Sequence, residues 1–301
     1  MIEKILTKIP YLSNAKTIEE LTKGFSFDKK YVVDHQYLLR IFSNREEARR
    51  TEEFTCLGQL AAYSKCVPRA IDFGRVEGTE NCYMLLEFLP GEDAETILPR
   101  LPKEEQYVVG FQAGRELKKL HQLAAPKTMQ DWYTLKKRKS DNYLHELENV
   151  PCDIGLKYLL KDYIKEHEHL MKNRPSSFQH DDFHPANLLI HNNQFSGIID
   201  FQRMDWGDPL HDLTKLGFFS KRISIDFTNG VVDGYHEDKK VSTSFWELYA
   251  LYSAMHVVSS LVWGLKMSQE QYDVLLEYSL EVLADHDQFN QIIPKWYRKE
   301  N

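Results

Sequence analysis

The feature that most constrains this chain is a change of texture at Pro90-Gly91. Before it the sequence reads as short strands around a single helix. After it the sequence reads as helices, with one brief return to strand. Tyr31-Val32-Val33 and Tyr37-Leu38-Leu39-Arg40-Ile41-Phe42 are β-prone runs joined by Asp34-His35-Gln36, the pattern of a hairpin. Residues 45–63 predict a helix with Phe54, Leu57, Leu60 and Ala61 on one face. Ala70-Ile71-Asp72-Phe73-Gly74 and Cys82 to Phe88 read as two further strands. Beyond Pro90-Gly91, residues 106–123 carry Val109, Ala113, Leu117 and Leu120 at helical spacing. Residues 156–171 predict a second helix, and helices resume from Leu210. The expectation is an α+β chain in two lobes, a strand-rich one over residues 1–89 and a helical one over residues 90–301.

The formal net charge of −7 excludes a protein that grips nucleic acid non-specifically, which needs a basic surface, but it admits a cationic ligand. None of the four cysteines, Cys56, Cys66, Cys82 and Cys152, forms a Cys-x-x-Cys pair, so neither a zinc ribbon nor a redox motif is expected. Free thiols suit a reducing cytoplasm. Met1-Ile2-Glu3-Lys4-Ile5 lacks the charged-then-apolar run of a signal peptide. The most apolar stretch, residues 251–265, contains His256 and Ser259-Ser260 and is shorter than the roughly 20 residues of a membrane span. A buried helix is expected there, and no membrane partner.

The chemistry is concentrated in His180-Asp181-Asp182-Phe183-His184-Pro185-Ala186-Asn187 and, shortly after, Ile198-Ile199-Asp200-Phe201. Leu188-Leu189-Ile190 and Gly197-Ile198-Ile199 flank His191-Asn192-Asn193-Gln194 as the arms of a hairpin would. The residue before the first arm and the residue ending the second share the open end, so Asn187 and Asp200 are expected side by side, with Asp182 just upstream. One carboxylate to orient a hydroxyl and two hard oxygen ligands for Mg²⁺ are the components of a phosphoryl-transfer site. Loop Asp and Asn also cap and turn, so the spacing of the whole set carries the reading rather than any one residue. A rival reading makes His180 and His184 zinc ligands. That motif needs both imidazoles on one helical face, and Pro185 disfavours α conformation at His184. The two histidines are instead expected to support the loop.

At these residues the chain closely resembles the aminoglycoside phosphotransferase family, a branch of the protein-kinase-like fold that also holds choline, fructosamine and macrolide kinases. The family's catalytic loop, His-Gly-Asp-Leu-His-Pro-Gly-Asn, aligns with residues 180–187. Its Ile-Asp-Phe aligns with Ile199-Asp200-Phe201, and its Gly-Asp-Pro-x-x-Asp-Leu with Gly207-Asp208-Pro209-Leu210-His211-Asp212-Leu213. A Gly-x-x-Leu-x-x-Leu-His helix is present as Gly114 to His121. The resemblance implies that Asp182 is the catalytic base, or the acid that orients the acceptor hydroxyl, and that Asn187 and Asp200 hold Mg²⁺. It implies that the backbone at Glu87, Phe88 and Leu89 meets the base of ATP or GTP, and that Gly24-Phe25-Ser26 covers the phosphates. Arg40 stands where the family has Lys, with Glu53 as its helix partner and Glu52 as the fallback. Arg keeps the charge and grips phosphate bidentately, but it is not equivalent to Lys; the alternative is an exposed strand residue. Asp181 replaces the family's Gly. It either raises the pKa of Asp182 through like charge or points to solvent.

Residues 180–247 hold eleven Asp and Glu against six Lys and Arg. Asp205, Asp233 and Glu247 are therefore candidates to hold a cationic acceptor, whereas Asp208 and Asp212 read as structural caps. Trp206, Trp246 and Trp263 could wall a pocket or pack the core, and the core is the expected place. Three functions remain open: ATP- or GTP-dependent phosphorylation of an aminoglycoside, conferring antibiotic resistance; a metabolic kinase for a small hydroxyl compound; and a nucleotide-binding pseudokinase. The residues leave the nucleotide, the regiochemistry and the oligomeric state undetermined.

Overall fold

The computed structural model describes residues 5–22 and 28–297. By Cα proximity the chain divides into two compact units, Met1–Gly91 with Ser196–Gln202, and Glu92–Phe195 with Arg203–Asn301.

The first unit is an antiparallel sheet of β1 (Ile18–Leu21), β2 (Lys29–Val33), β3 (Tyr37–Ser43), β4 (Ala70–Arg75) and β5 (Asn81–Glu87), in the order β1-β2-β3-β5-β4, with helix α1 (Glu47–Leu60). The β2–β3 hairpin pairs Val33 with Tyr37. Asp34 and His35 in its turn adopt left-handed φ of 52° and 51°, as a tight hairpin turn that follows strand twist requires. Alternation along β3 then sorts its side chains. Leu39 and Ile41 join an apolar cluster with Tyr31, Val33, Tyr83 and Leu85. Arg40 takes the opposite face, where α1 brings Glu53, and α1 buries Arg50, Glu53, Cys56, Leu57 and Leu60 at helical spacing.

The second unit runs through β6 (Glu92–Asp93), α2 (Ala94–Ile97), α3 (Lys103–Leu120), α4 (Trp132–Leu147), α5 (Ile154–His167), β7 (Ser177–Gln179), β8 (Leu188–His191), the start of β9 (Gln194–Ile198, whose residues from Ser196 belong to the first unit), β10 (Asp205–Gly207), α6 (Lys221–Ile223), α7 (Ile225–His236), α8 (Thr243–Met267) and α9 (Gln269–Asp285). β7 pairs with β10, and β6, β8 and β9 form a small sheet in that order. The β8–β9 turn uses Asn192 and Asn193, both left-handed, at φ 51° and 61°.

The apolar run expected over 251–265 extends further than its composition suggested. α8 spans 25 residues, because Trp246, Leu248 and Tyr249 continue its buried surface around the polar Ser244 and Glu247. By length and composition it could cross a membrane, yet 78% of its apolar window is buried inside the protein, as in a core helix. Trp246 is buried with it, whereas Trp263 is exposed and Trp206 half-buried.

α3 and α7 cross with their backbones in contact. Gly110 and Gly114 on one helix, and Gly230 and Gly234 on the other, sit so close that a β-carbon on any of them would meet a facing carbonyl oxygen at 2.0–2.2 Å. Gly114→Ala is expected to destabilise the fold by at least about 1–3 kcal/mol, the cost of overpacking a closed contact. Thermal unfolding should show a clear drop in midpoint; an unchanged midpoint would mean that the helices slide apart freely.

Candidate active site

The catalytic-loop segment leaves β7 at His180, and its conformation is set by a carboxylate from elsewhere in the second unit. The Asp212 side chain is fully buried and accepts the backbone N–H of His180 and of Asp181, each at 2.7 Å. Its Oδ2 also faces His121 Nε2 at 3.0 Å, and His121 Nδ1 meets the Tyr235 hydroxyl at 2.8 Å. The Leu-His end of α3 therefore serves to hold Asp212. Asp208 anchors the same region: it accepts Nε and Nη2 of Arg174 at 2.6 and 3.0 Å, accepts the Tyr252 hydroxyl at 2.7 Å and caps Leu210.

Asp181 lies at φ 57°. That left-handed conformation explains why the resembling family uses Gly there; Asp is among the few other residues that tolerate it. Its carboxylate is half-buried rather than turned to open solvent. It faces His211 Nδ1 at 3.3 Å. Burial would raise the Asp182 pKa, but the His184 hydrogen bond and the charges of Lys215, His184 and Arg203 outweigh it and hold the carboxyl below its ordinary range. Asp182 Oδ1 lies 3.5 Å from His184 Nε2 and 3.7 Å from Lys215 Nζ, and Oδ2 lies 3.9 Å from Arg203 Nε. The residue is thus an ionised, half-buried carboxylate between two cations. Lys215 and Arg203 were not singled out in the sequence, because neither belongs to a spaced motif.

Asn187 closes the 3-10 turn Pro185–Asn187 directly before β8. Its Nδ2 donates to the Asp182 carbonyl at 2.9 Å and approaches Asp182 Oδ2 at 3.3 Å, so its amide oxygen is the group left to face a ligand. His180 and His184 share no helical face: His180 directly follows β7 and His184 is extended, at φ −153°. His180 Nδ1 accepts the Asp182 N–H at 3.3 Å.

In the first unit, Arg40 is buried rather than an exposed strand residue. Its Nη1 donates to Glu53 Oε1 at 2.6 Å and its Nη2 to Asp28 Oδ2 at 2.7 Å. Arg50 closes the ring, reaching Asp28 Oδ1 at 2.8 Å and Glu53 Oε2 at 3.0 Å. Two acids and two guanidiniums alternate, so each buried charge has two opposite partners, which is what offsets its desolvation. Sequence reasoning found Glu53 but neither Asp28 nor Arg50. Asp200 follows β9 in the left-handed conformation, φ 63°, and no hydrogen bond or ion pair engages its side chain among the described residues. Beyond β5, the N–H of Glu87 and of Phe88 are used by Arg69 and Gln36 carbonyls at 2.9 and 2.8 Å, while Leu89 makes no backbone hydrogen bond among the described residues. Gly24 and Ser26 lie outside the described residues.

The three acids expected to hold a cation are dispersed. Asp205 lines a cavity of about 410 Å³ in the second unit, with Asp181, His211, Trp132 and Trp206 also in its wall. Asp233 lies elsewhere, accepting the Tyr107 and Tyr297 hydroxyls at 3.0 and 2.8 Å. Glu247 is half-buried on α8 and does not line the cavity.

Fold and sequence both find counterparts among known proteins. Residues 17–247 match the model of the phosphotransferase enzyme family. The GDP complex of a point mutant of aminoglycoside 2'-phosphotransferase-IIIa superposes with a TM-score of 0.71 at 19% identity, covering 97% of this chain and 98% of that one. The gentamicin complex of APH(2")-IIa gives 0.63 at 16% identity, covering 88% and 91%. A thermostable mutant of APH(4)-Ia gives 0.64 at 15% identity, covering 93% and 96%. No curated protein sequence matches the chain. The chain belongs to the phosphotransferase enzyme family and has its kinase-like fold. It is an enzyme of the class that moves phosphoryl groups to an alcohol.

Proposed function

We propose that the enzyme transfers the γ-phosphoryl group of ATP or GTP, supplied with Mg²⁺, to a hydroxyl of a small molecule in the cytoplasm. The observation that carries this reading is the Asp182 carboxylate, ionised between Lys215 and Arg203 on a loop fixed by the buried Asp212. Asp182 would accept the acceptor hydroxyl, while the two cations would offset charge on the phosphoryl group in flight. Asn187, with its amide oxygen unengaged among the described residues, and Asp200, with no side-chain partner among them, are hard-oxygen donors of the kind Mg²⁺ takes. The bound ion would neutralise charge on the nucleotide phosphates. The β8–β9 hairpin, flanked by Asn187 and Asp200, supports their joint role. Arg40 keeps N–H groups beyond those used by Asp28 and Glu53, which it would offer to phosphate. The Leu89 backbone would meet the base, and Gly24 and Ser26 would cover the phosphates. Four free cysteines, with Cys56 pushed up to about 12 by burial and then by Glu53, suit a reducing compartment.

The aminoglycosides named with the structural neighbours support a cationic antibiotic as acceptor, and with it a resistance role. The cavity supports the second reading, a metabolic hydroxyl compound, because cations share its wall. The test is acceptor-dependent release of nucleoside diphosphate, with ATP and GTP in parallel, and detection of the phosphorylated product by mass. Asn187→Ala should raise the Mg²⁺ concentration for half-maximal rate at least about tenfold. Failure of the wild-type protein to bind nucleotide with Mg²⁺ or to transfer phosphate would overturn the reading.

A further inference from the structure

Helix α4 carries four consecutive cations, Lys136 to Lys139, and they are not used alike. Lys137 faces away from the cavity and is fully matched, with Glu168 at 2.8 Å and Asp141 at 3.2 Å. Lys136, Arg138 and Lys139 line the cavity, and among the described residues none of them has a carboxylate within ion-pair distance. Lys136 Nζ instead lies 2.5 Å from His211 Nε2. Burial, then the charges of Lys139 and Lys215, pull the Lys136 ammonium down to about 7, against the opposing pull of Asp181 and Asp205. Of the acids in the wall, Asp181 faces His211 Nδ1 at 3.3 Å, and Asp205 accepts the Trp206 N–H at 2.8 Å on its own turn. Like charges one turn apart on a helix repel, and the two acids in the wall offset the three cations only in part. The space they face is of ligand size and is partly walled by indole.

We propose that the acceptor is a hydroxyl compound bearing an anionic group, a carboxylate or a phosphate, which binds in this cavity against Lys136 and Lys139. Its carbon frame would rest on Trp132, and the cavity wall includes Asp181, the residue before Asp182. An anion would balance the wall's excess of three cations over two acids, an excess that a polycationic acceptor would enlarge. The proposal rests on the kinase reading above, since it names the acceptor class for that reaction.

Binding decides it independently of turnover. The full chain, saturated with ADP and Mg²⁺ so that anions cannot enter the nucleotide site, is titrated by calorimetry with gluconate, glucose 6-phosphate, glucose and kanamycin. At least one of the two anions is expected to bind more tightly than glucose and kanamycin, and which of the two does so separates carboxylate from phosphate. Lys136→Met, which keeps the aliphatic stem, and the exposed Lys139→Ala should each weaken that anion about tenfold, the worth of one charge-assisted hydrogen bond. Lys139→Glu should improve kanamycin relative to the anion. Kanamycin binding more tightly than both anions, neither anion binding, or anion affinity unmoved by all three substitutions would overturn the proposal. If the anion binds as stated but Asp182→Ala transfers phosphate as well as wild type, the kinase reading falls while the binding site stands.

Discussion

Asp182→Ala is expected to lower kcat by about a hundredfold to ten-thousandfold while nucleotide still binds, the range associated with losing a positioned acid–base group. The carboxylate has no structural duty that alanine would disrupt badly. The loop is held by Asp212 through backbone N–H groups, not by the Asp182 side chain. Asn187 Nδ2 retains the Asp182 carbonyl at 2.9 Å whatever the side chain is. Lys215, Arg203 and His184 keep Asp182 ionised, which makes it a weak base. Its larger role would then be to orient the hydroxyl and to take the proton late, as a loose phosphoryl transition state allows. Asp182→Asn retains an oxygen acceptor but no charge, and it should lose nearly as much rate as the alanine variant. Single-turnover kinetics with the nucleotide affinity measured alongside separate the steps. Turnover within a few-fold of wild type in either variant would remove Asp182 from the reaction.

Local signals made much of the framework legible. The β2–β3 turn is marked by Asp34-His35 and the β8–β9 turn by Asn192-Asn193, residue types that accept left-handed backbone, and both pairs adopt it. Periodicity located α1 and α3 to within a few residues. It understated α8 because the composition of a helix buried on nearly every side has little periodicity to read. What escaped the sequence is contact between segments with no shared spacing. Asp28 and Arg50 complete a charge ring around Arg40 from a strand entrance and a helix. Arg203, at the end of the 3-10 turn Phe201–Arg203, and Lys215, in the helical turn before Leu216, reach Asp182 from outside any motif.

The acid count over residues 180–247 describes only part of the charge around the cavity, because α4, some 40 residues upstream, supplies Lys136, Arg138 and Lys139 to its wall. Meanwhile Asp208, Asp212 and Asp233 are taken up by protein donors. A linear tally of charge says little about a site whose wall comes from distant elements.

Asp212→Ala should be strongly damaging to stability, at about 2–6 kcal/mol, the cost of leaving two backbone donors without their acceptor. The side chain is completely buried, and three groups depend on it: the N–H of His180, the N–H of Asp181 and the His121 ring. Alanine would leave two buried backbone donors without acceptors, each at about 1–3 kcal/mol, so the loss comes mainly from unsatisfied groups rather than from the missing carboxylate itself. Since a domain's whole stability is typically about 5–15 kcal/mol, the midpoint of thermal or urea unfolding should fall steeply. Asp212→Asn keeps one carbonyl acceptor and should fold. However, its amide nitrogen would face one of the two N–H groups that Asp212 now accepts, donor against donor, and push the loop away. That variant should therefore lose kcat with a much smaller loss of stability than alanine, the signature of a residue that sets the position of Asp182. Equal stability of Asp212→Ala and wild type in urea titration would show that the loop is held by something other than this carboxylate.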